Sequence, residues 1–105
     1  MTRAEKFASL YEAHTAFAPP DPNGYYISPN TYSGSRWMLV ERNIKEKITL
    51  TTEWDAPVEA VNYLRESGYY FDGEYAEEGW SIVALYDLDN GDTYRIGRNG
   101  QFAKQ

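Results

Sequence analysis

Trp80-Ser81-Ile82-Val83-Ala84-Leu85-Tyr86-Asp87-Leu88-Asp89-Asn90-Gly91-Asp92-Thr93-Tyr94-Arg95-Ile96 is the stretch whose reading decides the fold. Two β-rich runs flank Asn90-Gly91, a dipeptide that supplies the positive φ angles of tight hairpin turns. Two registers fit the turn. A two-residue loop sets Leu85 opposite Ile96 and Asp87 opposite Tyr94. A three-residue loop with Gly91 in a bulge sets Tyr86 opposite Tyr94 and Ala84 opposite Ile96. The second gathers Trp80, Ile82, Ala84, Tyr86, Leu88, Tyr94 and Ile96 on one face, so burial of a single face selects it. It also keeps Asp89 and Asp92 from facing each other.

Upstream of that hairpin, Asp55 reads as the N-cap of a helix over 56–67 with Pro57 in its first turn and Val58, Ala60, Val61 and Leu64 as its buried stripe. Gly68 stands at the left-handed position that ends it, and Tyr69 is placed to close back on Leu64. The connection 69–79 interleaves aromatics and carboxylates, with a short strand expected at Tyr69-Tyr70-Phe71 before a turn at Asp72-Gly73. Earlier still, Arg36–Arg42 and Glu46–Trp54 read as paired strands. In the second, Ile48, Leu50, Thr52 and Trp54 alternate with Lys47, Thr49, Thr51 and Glu53, the two-residue period of a half-buried strand.

The chain opens on a helix over 3–17. Phe7, Leu10, Tyr11, His14 and Phe17 recur at helical spacing, Thr2 and Glu5 form a capping-box pair, and Pro19-Pro20 stops it. Residues 18–35 make a long connection with turns at Pro22-Asn23-Gly24 and Ser28-Pro29-Asn30. Tyr25, Tyr26, Ile27 and Tyr32 make it too apolar for a free linker. A packed-down loop is expected, serving either as a binding surface or as a lid on the core, with a short edge strand at 25–27.

These elements run α-β-β-α-β-β. The expected architecture is a single α+β domain over 1–105, with two helices on one face of a mainly antiparallel four-stranded sheet. An edge at Arg36–Arg42 or Arg95–Ile96 would permit a homodimer by sheet-edge pairing, against a monomer otherwise.

Charge narrows the function classes. The net charge is −6, unevenly spread: residues 59–92 carry nine acids against Arg65 alone, a local −8. Phosphate binding is led by Lys and Arg, so this lobe favours a basic protein partner over nucleic acid. With no cysteine, thiolate metal sites, disulfides and cysteine nucleophiles are excluded. No apolar run approaches a membrane span, and the first residues show no signal-peptide core, so a cytoplasmic protein with no membrane association is expected.

No catalytic residue, metal ligand or cofactor is assigned. His14 is the single histidine and, beside an apolar stripe, reads as a packed, hydrogen-bonded side chain. Asp87-x-Asp89-x-Gly91-Asp92 departs from a calcium loop, with glycine fifth, aspartate sixth and no glutamate at twelve. The expected function is therefore a small non-catalytic interaction module, of the inhibitor or regulator type that viruses and mobile elements encode. Its acidic, tyrosine-rich surface would comprise Tyr25, Tyr26, Tyr32, Asp72, Glu74, Tyr75, Glu77 and Glu78. The alternative is a nucleic-acid-binding module using Arg36, Arg42, Lys45, Lys47, Arg95 and Arg98 with aromatic stacking. A third reading, a carboxylate-based enzyme, requires two acids sharing a concave site.

Overall fold

A computed structural model describes residues 1–24, 26–67, 79–97 and 100–105. The described elements are α1 (Arg3–Phe17), β1 (Trp37–Asn43), β2 (Ile48–Trp54), α2 (Pro57–Glu66), β3 (Trp80–Asp87), β4 (Thr93–Ile96) and β5 (Phe102–Lys104). They build an α+β fold around an antiparallel five-stranded sheet ordered β2-β1-β3-β4-β5. The fifth strand, β5, folds back on β4 after the expected hairpin.

The capping box at the N-terminus forms as its pattern predicts. Thr2 caps α1, its hydroxyl accepting from the Glu5 amide at 3.1 Å while the Glu5 carboxylate accepts from the Thr2 amide at 3.0 Å. At α2 the cap is Ala56, not Asp55. Pro57 occupies the first helical position, and a residue before proline is driven to extended backbone, which is what a cap requires. Ala56 adopts that conformation (φ −148°, ψ 149°), leaving Asp55 outside the helix. The expected C-terminal motif at Gly68 and Tyr69, the strand at 69–71 and the turn at 72–73 lie outside the described residues.

The two helices cover opposite faces of the sheet, where the sequence reading put both on one. Phe7 on α1 packs with Met38, Val40 and Leu88, while Ala60 and Leu64 on α2 pack with Trp37, Leu39, Leu85 and Ile96. Neighbouring residues of a strand point to opposite faces. The continuous run Trp37-Met38-Leu39-Val40 is buried because both faces are covered.

Two-sided burial also overturns the register argument for the closing hairpin. Leu85 pairs with Tyr94 and Tyr86 with Thr93, so the loop has four residues, Leu88 to Gly91. The Asp87 amide donates to the Asp92 carbonyl at 2.9 Å, and the Gly91 amide to the Asp87 carbonyl at 2.8 Å. Gly91 does take a positive φ, 78°. The longer loop lets Leu88, a loop residue, bury its side chain in the α1 core. Ile82 and Tyr86, expected on one face, are split between the two by an extra residue: Val40 pairs with Ala84 and Glu41 with Ile82, leaving Val83 as a bulge in β3.

The first hairpin uses the same kind of loop, again four residues, 44–47, closed by Asn43 opposite Ile48. The Asn43 side-chain oxygen accepts from the Lys45 and Glu46 amides at 3.0 and 2.9 Å, as Asp87 Oδ1 accepts from the Asp89 amide at 3.0 Å. Where the second loop has Gly91, the first has Lys47 at φ 58°. A left-handed non-glycine residue costs about 1–2 kcal/mol, and glycine's extra chain entropy returns part of that gain. Lys47→Gly is therefore expected to stabilise the protein by about 0.5–1 kcal/mol, read as a rise of several degrees in Tm by calorimetry. A fall in Tm would contradict it.

Neither strand expected to offer a free edge does so, since β1 lies between β2 and β3 and β4 between β3 and β5. The outer edge of β2 is covered by residues 19–21 and by Ile27. The Thr49 amide donates to the Pro19 carbonyl (2.8 Å), Asp21 to the Thr49 carbonyl (3.0 Å) and Ile27 to the Thr51 carbonyl (2.6 Å). Thr49 and Thr51, expected to face solvent, are buried, their hydroxyls donating to the Ala18 and Ile27 carbonyls. Among the described residues the sheet's remaining edge is β5.

Candidate interaction surface

The outward side of α2 follows from its inward side. Ala60, Val61 and Leu64 face the sheet, so the 3.6-residue repeat turns Glu59, Asn62 and Glu66 to solvent. Val58, expected in the buried stripe, is 59% exposed and sits among these polar groups. Ala60 and Leu64 are the α2 residues that pack over Trp37 and Leu39, and Val58 takes no part in that cluster. Asp55, excluded from the cap, is exposed just ahead of the helix. At 1.5 Å per residue, Glu59 and Glu66 lie about 10 Å apart along the axis. Arg65 is the helix's single cation. In sequence this acidic face leads on to Asp72, Glu74, Tyr75, Glu77 and Glu78, which lie outside the described residues, as does Tyr25.

Of the tyrosines expected on the binding surface, the structure describes two. Tyr32 stacks on buried Phe7 with ring centroids 4.6 Å apart, and its hydroxyl donates to the Ser35 carbonyl. Burial raises its pKa. Tyr26 is half-buried. In this part of the 18–35 stretch the lid role is the one the geometry displays. Glu53, on the last part of β2, completes it: its carboxylate accepts from the Ser33 amide and hydroxyl and from the Ser35 amide. Those bonds hold the Glu53 carboxyl below the usual range against the opposing effect of burial.

The basic set is not brought together. Arg36, ahead of β1, grips Asp87 through Nε (3.0 Å) and Nη2 (2.7 Å), and Asp89 joins it to Arg3. Arg42 lies six residues along the same strand, about 20 Å away, beside His14. Lys45 and Lys47 are exposed on the first hairpin loop, Arg95 is exposed on β4, and Arg98 lies outside the described residues. Arg36 and Arg42 thus do structural work at opposite ends of β1.

The two buried carboxylates are likewise separate. Asp87 pairs across from Trp37, four residues from Glu41, a spacing of about 13 Å along β1. Asp87 is held below the ordinary aspartate range chiefly by its hydrogen bonds to Arg36. Glu41 accepts from the Tyr63 hydroxyl at 2.8 Å, and burial together with that charge pushes the Tyr63 phenol well above its usual pKa. They share no concave site. Among the described residues no three His, Asp or Glu side chains are grouped to hold a metal ion. No helix among them is long and apolar enough to cross a membrane.

His14 is packed and hydrogen-bonded, as its position implied. Its Nε2 is 2.7 Å from the Tyr86 hydroxyl and its Nδ1 is 3.2 Å from Arg42 Nη2. Phe17, expected on the same buried stripe, is instead 78% exposed and lies over the Arg42 guanidinium, 4.7 Å from ring centroid to Cζ. Nothing in the sequence spacing links residue 14 to residues 42 and 86; only the sheet order brings them together. No protein-family model, curated protein or solved structure matches this chain.

Proposed function

We propose that the protein is a small, non-catalytic, cytoplasmic interaction module, of inhibitor or regulator type, that presents an acidic surface to a basic protein partner. The observation that carries this reading is the outward face of α2, where Val58 is exposed between Asp55, ahead of the helix, and Glu59, with Glu66 two turns further along. An exposed apolar side chain flanked by acids suits an interface in which charge steers the encounter and a desolvated centre supplies affinity. The acids at 72, 74, 77 and 78 extend the same sign along the chain. Tyr75 supplies an aromatic of the kind enriched at interfaces.

The test compares three proteins in parallel affinity capture from a lysate of the source organism: the parent chain, Glu59→Lys/Glu66→Lys, and Asp72→Lys/Glu74→Lys/Glu77→Lys/Glu78→Lys. The expected result is a basic protein held by the parent, lost from both reversed variants, and released as ionic strength rises toward physiological values. With that protein purified, affinity for the reversed variants should drop by about tenfold or more. Equal affinity across the three proteins would sink the reading. Far-ultraviolet circular dichroism checks that the exposed substitutions leave the fold intact.

A further inference from the structure

Arg42 and Arg36 present the same edge of the guanidinium, Nε and Nη2, to very different partners. In Arg36 that edge grips both oxygens of Asp87. In Arg42, Nη2 donates to His14 Nδ1 at 3.2 Å and reaches the His14 carbonyl at 3.5 Å, while Nε is buried with no hydrogen-bond partner. A fork shaped for a carboxylate is filled by one imidazole lone pair.

That contact dictates the histidine's state. A guanidinium only donates, so Nδ1 must carry the lone pair, and the ring proton sits on Nε2, donated to the Tyr86 oxygen. The groups facing His14 are Arg42 from β1, the Thr49 hydroxyl from β2 (3.5 Å from the His14 carbonyl) and Tyr86 from β3. Among the described residues Arg42 is the one charge that acts on the ring. Burial first, and Arg42 second, hold its protonation below the ordinary histidine range.

His14 is also where residues 18–21 are anchored. The His14 carbonyl accepts from the Ala18 amide at 3.1 Å, the Ala18 carbonyl accepts from the Thr49 hydroxyl at 2.8 Å, and the bonds of Pro19 and Asp21 to Thr49 follow directly. We propose that His14 is an acid-sensitive latch for residues 18–21 and, beyond them, Ile27. A proton on Nδ1 would abolish the acceptor and set an imidazolium against the guanidinium. Arg42 must then leave, the last turn of α1 loosens, and these residues lift from β2, baring the backbone edge at Thr49 and Thr51.

The closed form binds the proton less tightly than the open one. Closure is therefore complete above the ordinary imidazole pKa of about 6.5 and is lost as pH falls through and below it. One proton changes the opening constant by at most about tenfold per pH unit. His14 is the single histidine, so its replacement removes the imidazole source of the effect.

The test is amide hydrogen exchange between about pH 7.5 and about pH 5.5, corrected for intrinsic rates. Asp21, Ile27 and Thr49 amides are expected to lose protection on acidification. The Leu88 amide, bonded to the Arg36 carbonyl at the far end of β1, should keep its own. In His14→Gln the dependence should vanish, and in Arg42→Met the NMR titration midpoint of His14 should rise. Equal loss in His14→Gln, parallel loss at Leu88, or an unmoved His14 midpoint in Arg42→Met would each overturn the latch. Should His14→Gln fail to fold, the Arg42→Met titration decides alone.

Discussion

Phe7→Ala is expected to destabilise the protein by about 3–5 kcal/mol, enough to lower Tm by well over 10 °C in a domain of this size. Phe7 is fully buried and is the single fully buried side chain of α1. It fills the space between the helix, Met38 and Val40 of β1, and Leu88 from the closing loop. Its ring also carries the Tyr32 stack, so truncation removes the support of the 18–35 stretch along with the helix contact. Urea unfolding monitored by tryptophan fluorescence would measure the loss. The comparison that makes it decisive is Phe102→Ala: that ring is 43% exposed on the edge strand β5, and its removal should cost well under half as much. Similar losses at the two positions would mean that α1 is not a principal wall of the core.

Asp87→Ala should cost about 2–3 kcal/mol, more than an average surface change and from a different source. The Asp87 carboxylate is 1% exposed. It accepts from Arg36 through both oxygens and from the Asp89 amide, so it fixes the closing loop and ties it to the start of β1. Removing it leaves the Asp89 amide without its acceptor and the Arg36 guanidinium with Asp89 alone as an acidic neighbour. Arg36 is substantially exposed and can be rehydrated, which keeps the loss below that of a fully buried pair. The carboxyl titrates below its unfolded value of about 3.9, so its contribution is fully present above that pH and disappears as pH falls through the folded value. Asp87→Asn should therefore be less stable at neutral pH and show a shallower acid limb, a pattern read from unfolding midpoints across pH. An acid limb as steep as the parent's would remove Asp87 from its cause.

Features written in adjacent residues were legible from sequence; features set by what lies across the sheet were not. The Thr2–Glu5 cap, both helices, Pro57 at a helix start and two hairpins rest on contacts within a few residues, and each is where its pattern put it. The register at Leu85–Tyr94 failed because the argument for it assumed one dry face. With α1 and α2 on opposite faces, either register buries apolar side chains, and the choice passes to a loop long enough to send Leu88 into the core. Thr49 and Thr51 misled for a related reason: threonine alternating with Leu50 signals a wet face, unless loop carbonyls satisfy the hydroxyls there. Phe17 matched the apolar stripe, yet its ring lies on a guanidinium contributed by a strand twenty-five residues on. As for the candidate surface, the acidic run was plain in composition. That Val58 is exposed at its start was hidden by a spacing that equally suits burial.

The burial of β1 on both faces has a consequence for the chain before it is folded. β2 follows β1 closely, but β1's other neighbour, β3, pairs with it from 37 to 50 residues away. The local hairpin is free to form first, and pairing across the longer loop comes later. In that interval Trp37-Met38-Leu39-Val40 is a bare apolar edge, the kind of segment through which growing chains aggregate. Arg36 on one side and Glu41-Arg42 on the other bracket it with charge. The residues that later tie down the closing loop, accept from Tyr63 and meet His14 serve earlier as gatekeepers, holding identical strands apart until β3 arrives.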